Sequence, residues 1–293
     1  MMQWLILSLA FLFASSANAD SRDGPAMVRI PPGIVATGSA EGNEDERPPR
    51  RFETTRAFEI GVTEVTRGAF AAFIAETGYR PALGCNRYVD GRLTFAAEAD
   101  WRNPGFPQTD DHPVVCVSWT DAQAYIAWLN ARTGKRFRLP SEGEWLLAAG
   151  AVDRAEPLCT AANGLDLAAM DGNLAGELKV GNADIYPSRA MMVLPCNDGG
   201  AFTLPVARLA ANEHGLVDML GNVWEWMEDC HSQSLAPLPG DGTPHRAFGC
   251  EAHTIRGGGW NTGLAFLRRD NRSQMKTETK NWSIGFRLAR DGE

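Results

Sequence analysis

Apolar and polar positions follow a helical period over only three spans of this chain and alternate over short spans elsewhere. Residues 27–37, MVRIPPGIVAT, set Val28 and Ile30 among polar neighbours, turn at Pro-Pro-Gly and continue as a second strand. FEIGVTEV (58–65) gives another short strand. Thr66 then stands where a helix cap belongs, Phe70, Phe73 and Ile74 share one face of RGAFAAFIAET, and Gly78 ends it. HPVVCVSW is a third β-rich run, after which Ser118 or Thr120 caps a helix with Ala122, Tyr125, Ile126 and Leu129 on one side and Gly134 at its end. In RFRLPSEGEWLLAA, Pro140 closes a strand and Ser141 with Glu144 makes a capping box.

Between these spans the pattern is irregular. Residues 40–51 read as an exposed charged loop, 79–113 as loop-dominated, and 150–212 hold no period for long. TIRGGGW and SIGFRLA add short strands near the C-terminus. With 30 glycines, 17 prolines and only 22% charged residues, the composition predicts a loop-rich α+β globule with short mixed sheets and two or three packed helices. No linker-like stretch divides it, so one domain over residues 20–293 is expected. The first nineteen residues run apolar from Trp4 to Ala14 and end in Ala17-Asn18-Ala19, the pattern of an export signal cut after Ala19. No later apolar run reaches the roughly 18 residues a membrane span needs, so the mature chain is expected in the periplasm or secreted, with no transmembrane segment. A net charge of −8 without a basic stripe argues against nucleic acid as a partner.

Six cysteines, Cys85, Cys116, Cys159, Cys196, Cys230 and Cys250, all follow the export segment, which favours disulfides. Six cysteines allow fifteen pairings. Sequential pairing, Cys85–Cys116, Cys159–Cys196 and Cys230–Cys250, is expected because each bridge would staple one long loop. The alternative, a thiolate metal cluster, lacks any CxxC step.

The stretches MVRIPPG, GVTEVTRGAFAAFI, HPVVCVSWTDAQAYIAWLNARTGKRFRLPSEGEWLLAA, GNVWEW and RGGGW…IGFRLAR occur in an order that resembles the formylglycine-generating enzyme family, also called the sulfatase-modifying factor domain. The resemblance covers most of residues 27–290 and implies that family's variant of the C-type-lectin-like fold. Its founding activity is oxidation of a sulfatase cysteine to formylglycine with copper(I) held by two cysteines. Laid on this chain, the family's first cysteine falls on Thr262, its second on Leu267, and the preceding serine on Gly259. A hydroxyl and an isobutyl group do not ligate a cuprous ion, so the two-cysteine copper route is not expected and any catalytic metal is unknown.

The resemblance also implies two structural calcium sites. The first would use Asn163, the backbone of Gly164, Asp198 and the backbone of Gly200. The second would use Asp218, the carbonyls of Gly221 and Val223, and Glu225. Oxygen-only donor sets of this kind suit a hard cation. Without calcium, Glu225 pairs with an arginine and Asp198 merely turns the chain.

A ligand pocket is expected where the copper loop lies in relatives. There Trp260 offers an apolar surface, Asn261 and Thr262 offer uncharged donors and acceptors, and Arg268, Arg269 and Arg272 offer positive charge, together suited to an aromatic or acidic peptide-like ligand. Arg256 and Arg287 sit inside family strands and are expected to form internal ion pairs. The five histidines form no H-x-x-x-H or H-x-H pair, although His231, His245 and His253 flank the Cys230–Cys250 interval. Among relatives, the chain is closest in kind to periplasmic siderophore-maturation and nitrite-reductase-associated members. The expected function is that of an exported, oxidoreductase-type maturation factor for a small peptide-derived molecule or an exported protein. A non-catalytic binding or accessory module is the competing class.

Overall fold

The computed structural model describes residues 24–89, 92–151, 162–163, 199–263 and 266–292. The three helices form where their caps stand. In α1 (Arg67–Thr77) the Thr66 side chain accepts from the Ala69 N–H at 3.1 Å, and Gly78 takes a left-handed φ of 67° to close the last turn. In α2 (Trp119–Thr133) Ser118 and Asp121 complete a capping box, and Gly134 ends the helix at φ 71°. In α3 (Glu142–Ala149) Ser141 and Glu144 repeat that box. Phe70 and Phe73 of α1 and Ala122, Tyr125, Ile126 and Leu129 of α2 are buried, as their spacing predicts.

Two four-stranded sheets carry the core. One orders the strands Met27–Ile30, Phe58–Gly61, Ala289–Asp291 and Phe137–Arg138, so both ends of the described chain lie in the same sheet. The other orders Arg272–Lys276, Ala252–Arg256, Trp224–Cys230 and Ile284–Gly285. Ile284–Gly285 pairs parallel to Trp224–Cys230, whereas the other pairings of both sheets are antiparallel. The α+β expectation therefore holds.

Two segments read as loops are built differently. Within 79–113 the strands Cys85–Val89 and Arg92–Ala96 form a hairpin, with Tyr88 opposite Leu93 and Asn86 opposite Phe95. Leu93 and Phe95 stay exposed, so the apolar alternation that marks a half-buried strand had no core to serve. Within 40–51, Glu46 is fully buried and its Oε1 accepts from Arg268 at 2.7 Å, so that segment is anchored to the body.

Two of the expected bridges are present, Cys85–Cys116 with 2.01 Å between sulfurs and Cys230–Cys250 with 2.11 Å. Cys159 and Cys196 lie outside the described residues, as do the export segment and the Gly164 and Asp198 positions. Among the described residues no helix is long and apolar enough to cross a membrane.

Candidate functional site

The chain leaves the strand Ala252–Arg256 through Gly257 and Gly258, both in left-handed conformations with φ 95° and 79°. Only glycine takes two such steps cheaply, and a Cβ on Gly258 would lie 2.9 Å from Leu267 Cδ1. This turn sends Trp260 inward. The indole is fully buried, with ring centroids 4.9 Å from Trp282, 5.1 Å from Phe202 and 5.5 Å from Phe106. The residue expected to offer an apolar surface to a ligand is thus a core residue. Asn261 and Thr262 follow on the outer side of the turn. The Thr262 hydroxyl accepts from the Gly259 N–H at 2.9 Å and so holds the turn closed. Leu267, at the second cysteine position, is buried in the core.

Asn261 and Thr262 line a groove of about 400 Å³. Tyr88 from the hairpin, Trp224 and Phe266 supply aromatic walls. The amides of Asn43, Asn261, Asn271 and Asn281 and the hydroxyls of Thr262, Ser273 and Ser283 supply uncharged polar groups. Asp45 and Arg272 are its charged side chains. No histidine or cysteine is among the described lining residues. A smaller cavity of about 210 Å³ opens beside α1 and α2.

The three arginines do not present free charge to this groove. Arg268 pairs with Glu46, and Arg269 bonds Asp270 and the carbonyls of Gly150 and Ala36, outside the groove. Arg272 lines it, but its Nε and Nη2 donate to Glu142 at 3.0 and 2.6 Å and its Nη1 donates to the carbonyls of Ser232 and Asp45 at 2.7 and 2.9 Å. Arg256 donates to the same carboxylate at 2.5 Å, and all three side chains are fully buried. Burial opposes ionisation of Glu142, yet the guanidiniums of Arg272 and Arg256 outweigh it and hold its pKa at about 2. Beside it, Asp229 accepts the backbone N–H groups of Glu142 and His245, each at 2.8 Å. Burial and then the like charge of Glu142 push Asp229 up to about 8.

The second expected calcium set is reached by different neighbours. Arg287 donates to Glu225 at 2.8 to 3.2 Å, and Trp145 Nε1 donates to Glu225 Oε2 at 2.9 Å, so both carboxylate oxygens are taken up. Glu225 is thus the arginine partner that its alternative reading describes. Asp218 Oδ2 accepts from Ala207 N at 3.0 Å, while its buried Oδ1 has no partner. Glu64 lies against Asp218 with neither oxygen partnered, and burial followed by the Asp218 charge raises its pKa well above the usual range. The set fits a hard cation through Asp218 but not through Glu225, and no group of three His, Cys, Asp or Glu suited to a metal occurs among the described residues. Of the first set, Asn163 pairs through its backbone with Gly221, and Gly200 is half-buried.

Sequence reasoning missed Asn43, Asp45, Tyr88 and Glu64. The one local signal was the alternation in RLTF, the strand that pairs with the Tyr88 strand.

The model of the sulfatase-modifying factor enzyme 1-like domain matches residues 13–292. The chain belongs to that family. It is 30% identical to a formylglycine-generating enzyme of Streptomyces coelicolor over 96% of each chain. Among solved structures, this family member is similar to PvdO from Pseudomonas aeruginosa, with 28% identity, a TM-score of 0.74 and 93% and 96% of the two chains covered. Variable protein 1 of Treponema denticola shares the fold at 20% identity, a TM-score of 0.59 and 91% and 95% coverage. In this family member the buried, disulfide-bonded Cys85 and Cys116 share an apolar cluster with Trp260.

Proposed function

We propose that the protein is an exported family member that binds a small, ring-bearing, peptide-derived molecule in the groove and serves its maturation by seating and orienting it. The observation that carries this reading is the lining itself. Three aromatic side chains line the groove together with amides and hydroxyls, and the two positions that the resemblance aligns with the family's copper cysteines are Thr262, in that lining, and the core residue Leu267. Aromatic walls with a few fixed polar groups are the usual make-up of a small-molecule site. Two disulfides and the apolar N-terminal run support export.

Binding of N-acetyl-tyrosinamide against N-acetyl-alaninamide tests it by ligand-observed NMR. The tyrosyl amide is expected to bind and to lose about tenfold in affinity in Trp224→Ala; equal signals from the two amides overturn the reading. A second reading, an oxidoreductase-type step on a peptide or exported protein, is favoured by the likeness to formylglycine-generating enzymes. Its arm is oxygen uptake by the copper(I)-loaded protein with a cysteinyl peptide. No uptake above that of a copper-free control is expected, and uptake that disappears on Thr262→Ala would reverse the preference.

A hard cation enters the proposal through Asp218 and Glu64 in place of Glu225. Calcium there would brace the turn at Asp218, which holds a left-handed φ of 58°.

A further inference from the structure

The two charged side chains of the groove differ in what they can still offer a ligand. Arg272 already donates from Nε, Nη1 and Nη2 to Glu142, Asp45 and Ser232. Its charge is shared with Arg256 over one carboxylate, and neither guanidinium is accessible. The carboxylate of Asp45 stands in the opposite position. It lines the groove, is half-buried, and among the described residues is hydrogen-bonded only by its own backbone N–H.

Its place is nevertheless fixed. Asp45 is the middle residue of the single turn Glu44–Glu46. Its own carbonyl accepts from Arg272 Nη1 at 2.9 Å. On one side the buried Glu46 is tied to Arg268, and Asn43 Nδ2 on the other donates to Glu46 Oε1 at 3.0 Å. An acceptor held on a pinned turn, facing aromatic walls and otherwise uncharged polar groups, is organised before a ligand arrives.

We propose that Asp45 is a specificity-determining residue of the groove, selecting ring-bearing ligands that carry an ammonium or a comparable cationic group. This rests on the binding function proposed above. It reverses the polarity that the arginines suggest in the sequence, because their donors are turned to Glu142, Glu46 and backbone carbonyls. A bound cation would also favour the ionised carboxylate, whose pKa is raised by partial burial against the opposing pull of Arg272. The ring would lie against Tyr88, Trp224 or Phe266, whose faces themselves favour positive charge nearby.

Three phenols that differ in the charge of the side chain provide the test: tyramine, 4-ethylphenol and 4-hydroxyphenylacetate. Dissociation constants are measured on the full mature protein and on Asp45→Asn at low ionic strength. Tyramine is expected to bind about tenfold more tightly than 4-ethylphenol, and 4-hydroxyphenylacetate most weakly. In Asp45→Asn the ratio of tyramine to 4-ethylphenol affinity is expected to fall to about one, which a merely structural Asp45 would not produce. Equal binding of the three phenols, tightest binding of the anion, or an unchanged ratio in the variant overturns the assignment and leaves the groove as a ring-binding site. Failure of all three to bind overturns both the groove reading and this one.

Discussion

Two clusters of buried charge sit in this molecule with opposite imbalances. Around Glu142, two guanidiniums share one carboxylate. Around Arg287, three carboxyls, Glu225, Asp218 and Glu64, surround one guanidinium, and only Glu225 is bonded to it. The first cluster has positive charge to spare and holds Glu142 ionised. The second has negative charge to spare and drives Glu64 towards its protonated form. Both also hold backbone carbonyls, Arg272 those of Asp45 and Ser232 and Arg287 those of Val62 and Val217. The excess decides their use: the positive cluster reaches the groove through Arg272, which holds the carbonyl of Asp45, whereas the negative one asks for a proton or a cation.

The largest expected effect comes from removing the shared carboxylate. Glu142→Gln strands two buried guanidiniums, and breaking such a pair costs roughly 3–5 kcal/mol, read as a drop in stability by chemical denaturation. A cost under about 1 kcal/mol would mean that the two arginines find other acceptors, and the contrast between the clusters would fail. A smaller effect, a few kcal/mol, is tied to pH through Asp229. Its folded pKa of about 8 lies above the unfolded carboxylate value, so the folded state holds the extra proton between about pH 4 and 8. Stability from this group is complete below pH 4 and is lost as pH rises through 8. Asp229→Asn is expected to flatten that fall in denaturation curves taken from pH 6 to 9.

Much of this architecture could be read from the residues, and the limits have a physical cause. Helix ends were legible because Thr66, Ser118 and Ser141 act on backbone groups three residues away. Arg256 and Arg287 were legible as internal ion pairs because each stands in a short family segment, TIRGGGW or SIGFRLA, among residues that pack inward. Their partners were less so. Arg256 meets Glu142 across 114 residues, and neither local pattern names the other. Trp260 was misjudged for a similar reason: its direction depends on two left-handed glycines, and nothing in the side-chain pattern distinguishes an inward from an outward turn. Asp45 hides in AEGNEDERPPRR, a run with the look of any solvated loop, and only the burial of Glu46 beside it turns one carboxylate into the groove.

The bridges supply the next contrast, because one holds the groove and the other lies beside the Glu142 cluster. Cys85–Cys116 ties the hairpin that carries Tyr88, and Cys230–Cys250 follows directly on Asp229. Replacing either pair by alanines is expected to cost about 2–4 kcal/mol. Loss of Cys85–Cys116 should also weaken binding of N-acetyl-tyrosinamide, whereas loss of Cys230–Cys250 should act on stability alone. Equal effects of the two on binding would show that the groove is not held by its own staple.

The smallest effect separates a proton from a cation in the acidic cluster. Burial and then the Asp218 charge raise the folded pKa of Glu64, so its contribution to stability falls as pH rises. Glu64→Gln keeps the shape and removes the need to take up a proton, and a gain of about 1 kcal/mol is expected in chelator at pH 8. Calcium acts on the same carboxyl in the other direction, because it binds the ionised form. Added to chelated native protein at about 100 times its dissociation constant, it would stabilise by about 2.7 kcal/mol at most. A rise in Tm is therefore expected in the native protein and a smaller one in Glu64→Gln. If Asp218→Asn retains the full rise, the cation sits elsewhere. If calcium moves neither Tm, the excess negative charge around Arg287 is neutralised by a proton alone, and the two clusters differ only in sign.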